Sequence, residues 1–223
     1  MTSLELTNAW VEFPRKLRRN VEPVIALQNI NLTLSQGDRL GILGLNGSGK
    51  TTLLRLISGV YPPTRGGRDV TGEISSLLDL GSHLNGRSTG REYILFRSRL
   101  MGRPKALAMA TLQDAIEFGG LSAFIDEPID SYNSGMRMKL LFCLATAVPP
   151  EILVMDEWLG VGDQDFETLA KQRLSSFVNG AKILVLASHS KRLLEDSCNR
   201  FLLMEGGGAR EVASLDEYFE NNR

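Results

Sequence analysis

The stretch RLGILGLNGSGKTTLLRLIS, Arg39 to Ser58, holds three kinds of sequence in a fixed order. RLGIL is a short apolar run of the sort that forms a strand buried on both faces. GLNGSGKTT, Gly44 to Thr52, carries the pattern G-x-x-x-x-G-K-[ST], and TTLLRLIS repeats apolar residues at helical spacing. Strand, glycine-rich loop and helix in that order make a phosphate cradle. Gly44, Gly47 and Gly49, with Asn46 and Ser48 between them, let backbone N–H groups converge on phosphate oxygens, and the helix N-terminus adds partial positive charge. Lys50 reaches the β and γ phosphates, the Thr51 hydroxyl ligates Mg2+, and Thr52 continues the first helical turn. The bland alternative is a glycine-rich turn with an incidental lysine, and it gains nothing from the flanking strand and helix.

Outward from this stretch, strand-like and helix-like segments alternate. LTL (Leu32–Leu34), EILVM (Glu151–Met155), KILVLAS (Lys182–Ser188) and RFLLM (Arg200–Met204) read, like RLGILG, as strands buried on both faces. Helical patterns cover Thr51–Ser58, Phe166–Val178 and Lys191–Cys198. The rhythm predicts an α/β fold with a mainly parallel sheet. Between about Arg87 and Val148 the strands vanish, and helix-like text is broken at Gly102–Pro104, Gly119–Gly120 and Asp126–Pro128. We read one domain over 1–223, with an α/β core at 1–86 and 149–223 and an inserted helical subdomain at 87–148.

Composition narrows the function classes. The 223 residues are 43% hydrophobic with a net charge of -1, which suits a globular domain and offers no global attraction to nucleic acid or anionic lipid. Cys143 and Cys198 stand far apart, without metal-ligand spacing, and read as buried thiols in a reducing compartment. The longest apolar stretch, LLFCLATAV, stops at Pro149–Pro150, far short of a bilayer span, so the chain is expected to be soluble and to meet a membrane only through a partner. The basic cluster RKLRR, Arg15 to Arg19, is read as a solvated loop, or as a face toward acidic headgroups or the nucleotide's periphery.

A second constellation completes the metal site. Asp156 and Glu157 follow the strand EILVM, where a strand's carboxyl end delivers side chains to the ligand crevice of an open α/β sheet. Asp156 would hold Mg2+ through a water, and Glu157 would orient or deprotonate the attacking water. His189, in ASHS at the end of another strand, is either a satisfied edge residue or a donor to the γ-phosphate. Asp163, in GVGDQDF, is a helix N-cap or a loop carboxylate reaching a neighbouring chain. SYNSGMRMKLL, Ser131 to Leu141, sets small and polar residues ahead of a helical run: an ordinary polar N-cap, or an anion-binding helix start.

The order GLNGSGKT, YNSGM, ILVMDE, GD, SH resembles the nucleotide-binding subunit of ATP-binding cassette (ABC) transporters over essentially the whole chain. The resemblance implies a P-loop NTPase fold of the ABC ATPase type, with an N-terminal antiparallel β region, and ATP with Mg2+ as ligands. It implies a signature sequence at Tyr132–Met136, where Asn133, Ser134 and Gly135 bind the γ-phosphate held by the opposite subunit of a homodimer. Asn133 and Ser134 depart from the family's usual serine and glycine, and Gly135 is retained. By the same resemblance Glu157 is the catalytic carboxylate, Asp163 the D-loop aspartate, His189 the switch histidine and Phe13 the aromatic on adenine, with Trp10 its rival. Asp79 stands roughly where the family has a metal-side glutamine. DEWLGVGD, with YNSGM and LLDLG, is similar to the subfamily that exports bacterial capsule, O-antigen and wall teichoic acid. The short capsule-type form is implied, without a carbohydrate-binding domain and so without direct polysaccharide binding. Two copies of a polytopic permease are the implied partners, at the cytoplasmic face of the inner membrane, and nucleic acid is not. A soluble ABC protein acting on nucleic acid or ribosomes, or a small-molecule kinase, is the competing class.

Overall fold

A computed structural model describes residues 1–15, 22–78, 84–156 and 164–221. The chain divides into two compact units. Among the described residues the first takes in Met1–Leu78, the strand after Pro150 and the chain from Gly180 onward, and the second takes in 84–149 and 164–179.

The first unit contains two sheets. Strands β1 (Ser3–Phe13), β2 (Val24–Ser35) and β4 (Arg65–Thr71) form an antiparallel sheet of order β2-β1-β4. Its strands alternate: Leu4, Leu6, Ala9 and Val11 of β1 and Leu27, Ile30, Leu32 and Leu34 of β2 are buried, while Glu5 and Thr33 face out. LTL is therefore not a two-face buried strand as its apolar ends suggested, because Thr33 is exposed in a sheet with one covered face. The pairing slips between Leu6 and Ala9, beside Asn8, which takes a positive φ of 46° with its N–H donating to Asn31 Oδ1 at 2.9 Å. Asn tolerates this left-handed conformation better than most side chains.

The second sheet has the order β5-β6-β7-β3-β8-β9, with β3 (Arg39–Leu43), β5 (Ile74–Ser76), β6 (Ile152–Asp156), β7 (Ile183–Ala187), β8 (Arg200–Glu205) and β9 (Gly208–Val212). All neighbours are parallel except the hairpin β8–β9. Every residue of β7 and all of β6 but Asp156 are buried. Helix α1 (Lys50–Ile57) lies between the two sheets and buries Leu53, Leu54, Leu56 and Ile57 in the core that both sheets share.

The second unit is helical: α2 (Gly90–Leu100), α3 (Lys105–Glu117), a 3-10 turn (Ile129–Ser131), α4 (Ser134–Ala145) and α5 (Gln164–Gly180). A reciprocal cap starts α2, Thr89 Oγ1 accepting from Glu92 N at 3.1 Å while Glu92 Oε2 accepts from Thr89 N at 3.0 Å. The sequence division put 164–180 with the α/β core. Instead α5 belongs here, because Phe166 packs on the rings of Phe118 and Phe142 and Arg173 pairs with Asp114 at 2.8 Å. Helices α6 (Lys191–Ser197) and α7 (Asp216–Asn221) complete the first unit. Among the described residues no helix is long and apolar enough to cross a membrane.

Candidate nucleotide site

Strand β3 ends at Leu43 and α1 begins at Lys50, so Gly44–Gly49 must turn the chain within a few residues. Two glycines are required by space as well as conformation. Gly44 has φ 145°, and a Cβ there would lie 2.5 Å from Met204 O. Gly49, the N-cap of α1, has φ 108°, and its Cβ would lie 2.9 Å from Ala26 O. No side chain caps α1 and no acidic residue sits in its first turn, so the partial positive charge of this helix end is left for an anion.

Lys50, only 9% exposed, donates from Nζ to Gly44 O at 2.6 Å and Leu45 O at 3.1 Å, and so holds its ammonium inside the loop. Thr51 Oγ1 donates to Asp156 Oδ2 at 3.1 Å. This contact joins the first turn of α1 to the carboxyl end of β6 across 105 residues of sequence. Asp156 pairs in register with Ala187 at the end of β7, and His189 follows two residues later. The histidine sits in a fastened turn, since Ser188 Oγ accepts from Ser190 N at 3.0 Å and Ser190 caps α6 through Leu193 N at 3.3 Å.

These groups line one cleft of about 780 Å³, bounded by the loop, by Asp156 and His189, by Gly206–Gly207 of the β8–β9 turn and by Val24–Ala26 of β2. Asn46, Gly47, Gly49, Lys50, Thr51, Thr52, Asp156 and His189 all face it. Gly44 and Ser48 form the base of the loop, where Ser48 Oγ is buried with no hydrogen-bond partner among the described residues. One hydroxyl and one carboxylate are a poor cage for a metal, and among the described residues no cluster of three His, Cys, Asp or Glu could hold one. They suit Mg2+, which keeps several waters and takes its remaining ligands from substrate phosphates. The uncapped helix, the loop whose glycines leave no room for Cβ atoms, Lys50 and the Thr51–Asp156 pair together fit a magnesium nucleoside triphosphate.

Phe13 lies at the end of β1, edge-on to Tyr61 with ring centroids 5.3 Å apart, and is not part of the cleft wall. Trp10, the rival of Phe13, is half-exposed beneath the guanidinium of Arg65 and is not part of the cleft wall either. The apolar wall belongs to exposed Val24 and Ile25, whose signal in sequence is only a pair of aliphatic residues at a strand start. Gly206 and Gly207 also escaped the sequence reading, although the run EGGG after an apolar strand marks a hairpin turn. Glu157, Asp163 and Asp79 lie outside the described residues, as do all but Arg15 of the basic cluster.

In the helical unit Asn133 is the N-cap of α4, its Oδ1 accepting from Met136 N at 2.8 Å, and Ser134 and Gly135 open the helix. The polar-cap reading is thus correct in geometry. It does not compete with anion binding, because the cap uses the amide oxygen and leaves the amide NH2 as a donor. Burial pushes the Cys143 thiol up to about 12 and does the same to half-buried Cys198, so neither is a reactive thiol at neutral pH.

The family profile described as ABC transporter matches residues 27–160. The O-antigen export system ATP-binding protein of Myxococcus xanthus is 40% identical over 208 residues, 93% of this chain but 47% of that protein. Its counterpart from Yersinia enterocolitica is 38% identical over 190 residues, 85% of this chain and 80% of that one. The teichoic acids export ATP-binding protein of Enterococcus faecalis is 40% identical over 198 residues, 89% of this chain and 44% of that protein. The chain therefore spans about half the length of the Myxococcus and Enterococcus relatives. Among solved structures, an ATP-binding subunit of an ABC transporter superposes with a TM-score of 0.73 at 21% identity, covering 99% of both chains. A dimeric bacterial ABC transporter cassette gives 0.71 at 20% identity, covering 94% and 97%. At these identities the superpositions speak for the fold alone. With a profile match over more than half its length, and with the phosphate loop and the Thr51–Asp156 pair inside the matched span, the chain belongs to the ABC transporter family of ATP-binding proteins.

Proposed function

We propose that this chain is the ATP-hydrolysing subunit of a bacterial polysaccharide exporter, working as a homodimer beneath two copies of a separate membrane permease at the cytoplasmic face of the inner membrane. The Thr51–Asp156 contact at the mouth of the phosphate loop is the observation that carries the ATPase reading. The polymer class is supported by relatives named for O-antigen and teichoic acid export, at 38 to 40% identity.

The loop amides and the N-terminus of α1 grip the phosphates, and Lys50 carries a positive charge to the β and γ positions. Thr51 and Asp156 would hold Mg2+, which when bound would supply positive charge beside the transferring phosphoryl oxygens. Glu157 orients the attacking water and accepts its proton, and His189 donates a hydrogen bond to the γ-phosphate. The Asn133 amide, Ser134 and Gly135 of a second copy close over the same γ-phosphate, so turnover requires the dimer.

Glu157→Gln should bind ATP with near wild-type affinity and turn over at least about a hundredfold more slowly, since a positioned base contributes that much or more. In that background an ATP-bound dimer should accumulate on size-exclusion chromatography. Adding Gly135→Asp, a carboxylate aimed where phosphate must approach, should abolish the dimer and spare monomeric binding. Near-normal hydrolysis by Glu157→Gln, or a dimer that survives Gly135→Asp, would sink these roles. Co-purification with a membrane permease, and loss of surface polymer on its deletion, test the export reading.

A further inference from the structure

The start of α4 is held from behind by bonds that lie wholly inside the helical unit. Leu121 to Glu127 is a run of turns, Phe124 N donating to Leu121 O at 3.0 Å and Glu127 N donating to Phe124 O at 2.8 Å. Leu121 and Ile125 are buried in the core of this unit, so the Phe124 carbonyl is a fixed point. Tyr132, one residue before the N-cap Asn133, is 3% exposed in the same core, and its phenol donates to that carbonyl at 2.7 Å. The ring thus reaches eight residues back along the chain and rests on a turn that is already closed.

Further contacts define the seat. A Cβ on Gly90, the first residue of α2, would lie 2.5 Å from the Tyr132 oxygen and 3.1 Å from the Ile125 side chain, so the glycine leaves the space that the phenol fills. Arg137 of α4 donates back to Ile129 O at 3.3 Å and to Asp130 O at 3.1 Å. The 3-10 turn that it grips is pinned to the approach to α2, Ile129 N donating to Ser88 O at 3.0 Å and Asp130 N to Gly86 O at 2.9 Å. Asn133 and Ser134 are exposed just ahead of this frame, and Tyr132 is its buried end.

We infer that Tyr132 is a positioning residue for the contact between copies: its phenol, seated between Gly90 and the Phe124 carbonyl, sets the direction in which Asn133, Ser134 and Gly135 face a phosphate held by a second copy. The inference rests on the role proposed above for those three residues. Binding groups aim well only when packing and hydrogen bonds behind them fix their support. Removal of the phenol should loosen that aim without unfolding the unit, because Phe124 O keeps Glu127 N as a donor.

The test uses the full chain carrying Glu157→Gln, in which ATP should hold two copies together. Sedimentation gives the dimer dissociation constant, and titration of dilute protein gives the ATP affinity of the monomer. Tyr132→Phe keeps the ring and removes one hydrogen bond from each copy. Dimerisation should weaken about tenfold, with monomer affinity within about twofold and the melting temperature without nucleotide within about 4 °C. With Glu157 restored, Tyr132→Phe should lower the specific activity of dilute protein. At protein concentrations above the dimer dissociation constant, kcat should return to within about twofold of wild type, a recovery that general loosening would not give. Gly90→Ala, which sets a methyl against the phenol oxygen, should also weaken dimerisation, and adding Tyr132→Phe to it should cost less than Tyr132→Phe alone, since both act on one seat.

Undiminished dimerisation of Tyr132→Phe, with Gly135→Asp unable to dimerise, overturns the positioning role and leaves the role of Asn133 to Gly135 standing. Additive losses in the double variant, or a joint fall in monomer affinity and melting temperature, overturn it as well. A Gly135→Asp protein that dimerises like its Glu157→Gln parent removes the role of those residues and the inference with it.

Discussion

The two ends of the parallel strands are built from the same residue types and put to opposite uses. At the amino end, just before β6, Glu151 accepts from Lys182 Nζ at 2.6 Å, Glu73 N at 3.0 Å and Thr2 Oγ1 at 3.2 Å. Before β3, Asp38 Oδ2 accepts from Ser35 N and from Arg200 NH1, each at 2.8 Å. Before β8, Asn199 Oδ1 accepts from Arg39 N at 2.9 Å while its Nδ2 donates to Gly37 O at 3.0 Å. Each side chain there is consumed in fastening one strand to the next. At the carboxyl end the helix is uncapped, the loop is glycine-rich, Ser48 Oγ is buried without a partner among the described residues, and Asp156 accepts from the Thr51 hydroxyl beside a cleft. Strand ends that satisfy themselves make a scaffold, and those that leave polar groups over make a site.

Substitution of one acid at each end breaks or sharpens this contrast most strongly. If Asp156 fixes Mg2+ as proposed, Asp156→Asn should cut ATP hydrolysis at least about a hundredfold and leave melting without nucleotide nearly unchanged. Glu151→Gln should do the reverse. Equal losses of turnover in the two variants would erase the distinction between the ends.

Glycines at the two ends give a smaller effect. Gly44 and Gly37 both have positive φ, 145° and 98°, but a Cβ at Gly44 would lie 2.5 Å from Met204 O whereas one at Gly37 meets nothing within 4 Å. Gly37→Ala should cost about 1–2 kcal/mol of stability, the left-handed strain of one residue, with ATP affinity intact. Gly44→Ala should cost more, about 2–3 kcal/mol, and lose affinity as well. Urea melts with nucleotide titrations compare them, and a Gly37→Ala that lost affinity would contradict the division.

The smallest effect is one of pH. The hydrogen bond from Lys182, then the Glu73 N–H and the Lys182 charge, depress Glu151 from 4.5 to about 2. A depressed carboxylate stabilises the fold fully above its unfolded value and loses that contribution as pH falls through the folded one. The difference in melting temperature between wild type and Glu151→Gln should be complete at pH 6 to 7 and close between pH 4.5 and about 2. A difference that persists unchanged at the acid end would mean that the carboxylate charge is not what fastens β6.

The carboxyl end was legible in sequence where chemistry fixes spacing. Gly44–Thr51 and Asp156 declare themselves, since a phosphate loop needs those residue types in one short run and a strand end needs its acid beside it. What stayed hidden depends on partners distant in the chain. Val24 and Ile25 form the apolar wall only because β2 runs past the loop, a relation no local pattern carries. LTL was assigned to the wrong kind of sheet because three residues cannot tell one-sided from two-sided burial until Thr33 is seen facing out. Helix α5 was placed with the core because its period shows that it has an apolar face, and Phe166 against Phe118 and Phe142 shows which unit that face covers.

The contrast is tested most directly by the metal dependence of nucleotide affinity. Calorimetric titration of a non-hydrolysable ATP analogue into wild type should give binding at least about tenfold tighter with Mg2+ than with a chelator, a difference of about 1.4 kcal/mol. In Asp156→Asn the two affinities should converge on the metal-free value, while Glu151→Gln should keep the full wild-type difference. An Asp156→Asn protein whose magnesium dependence equals that of wild type would contradict the assignment of the β6 carboxyl end as the metal-nucleotide site.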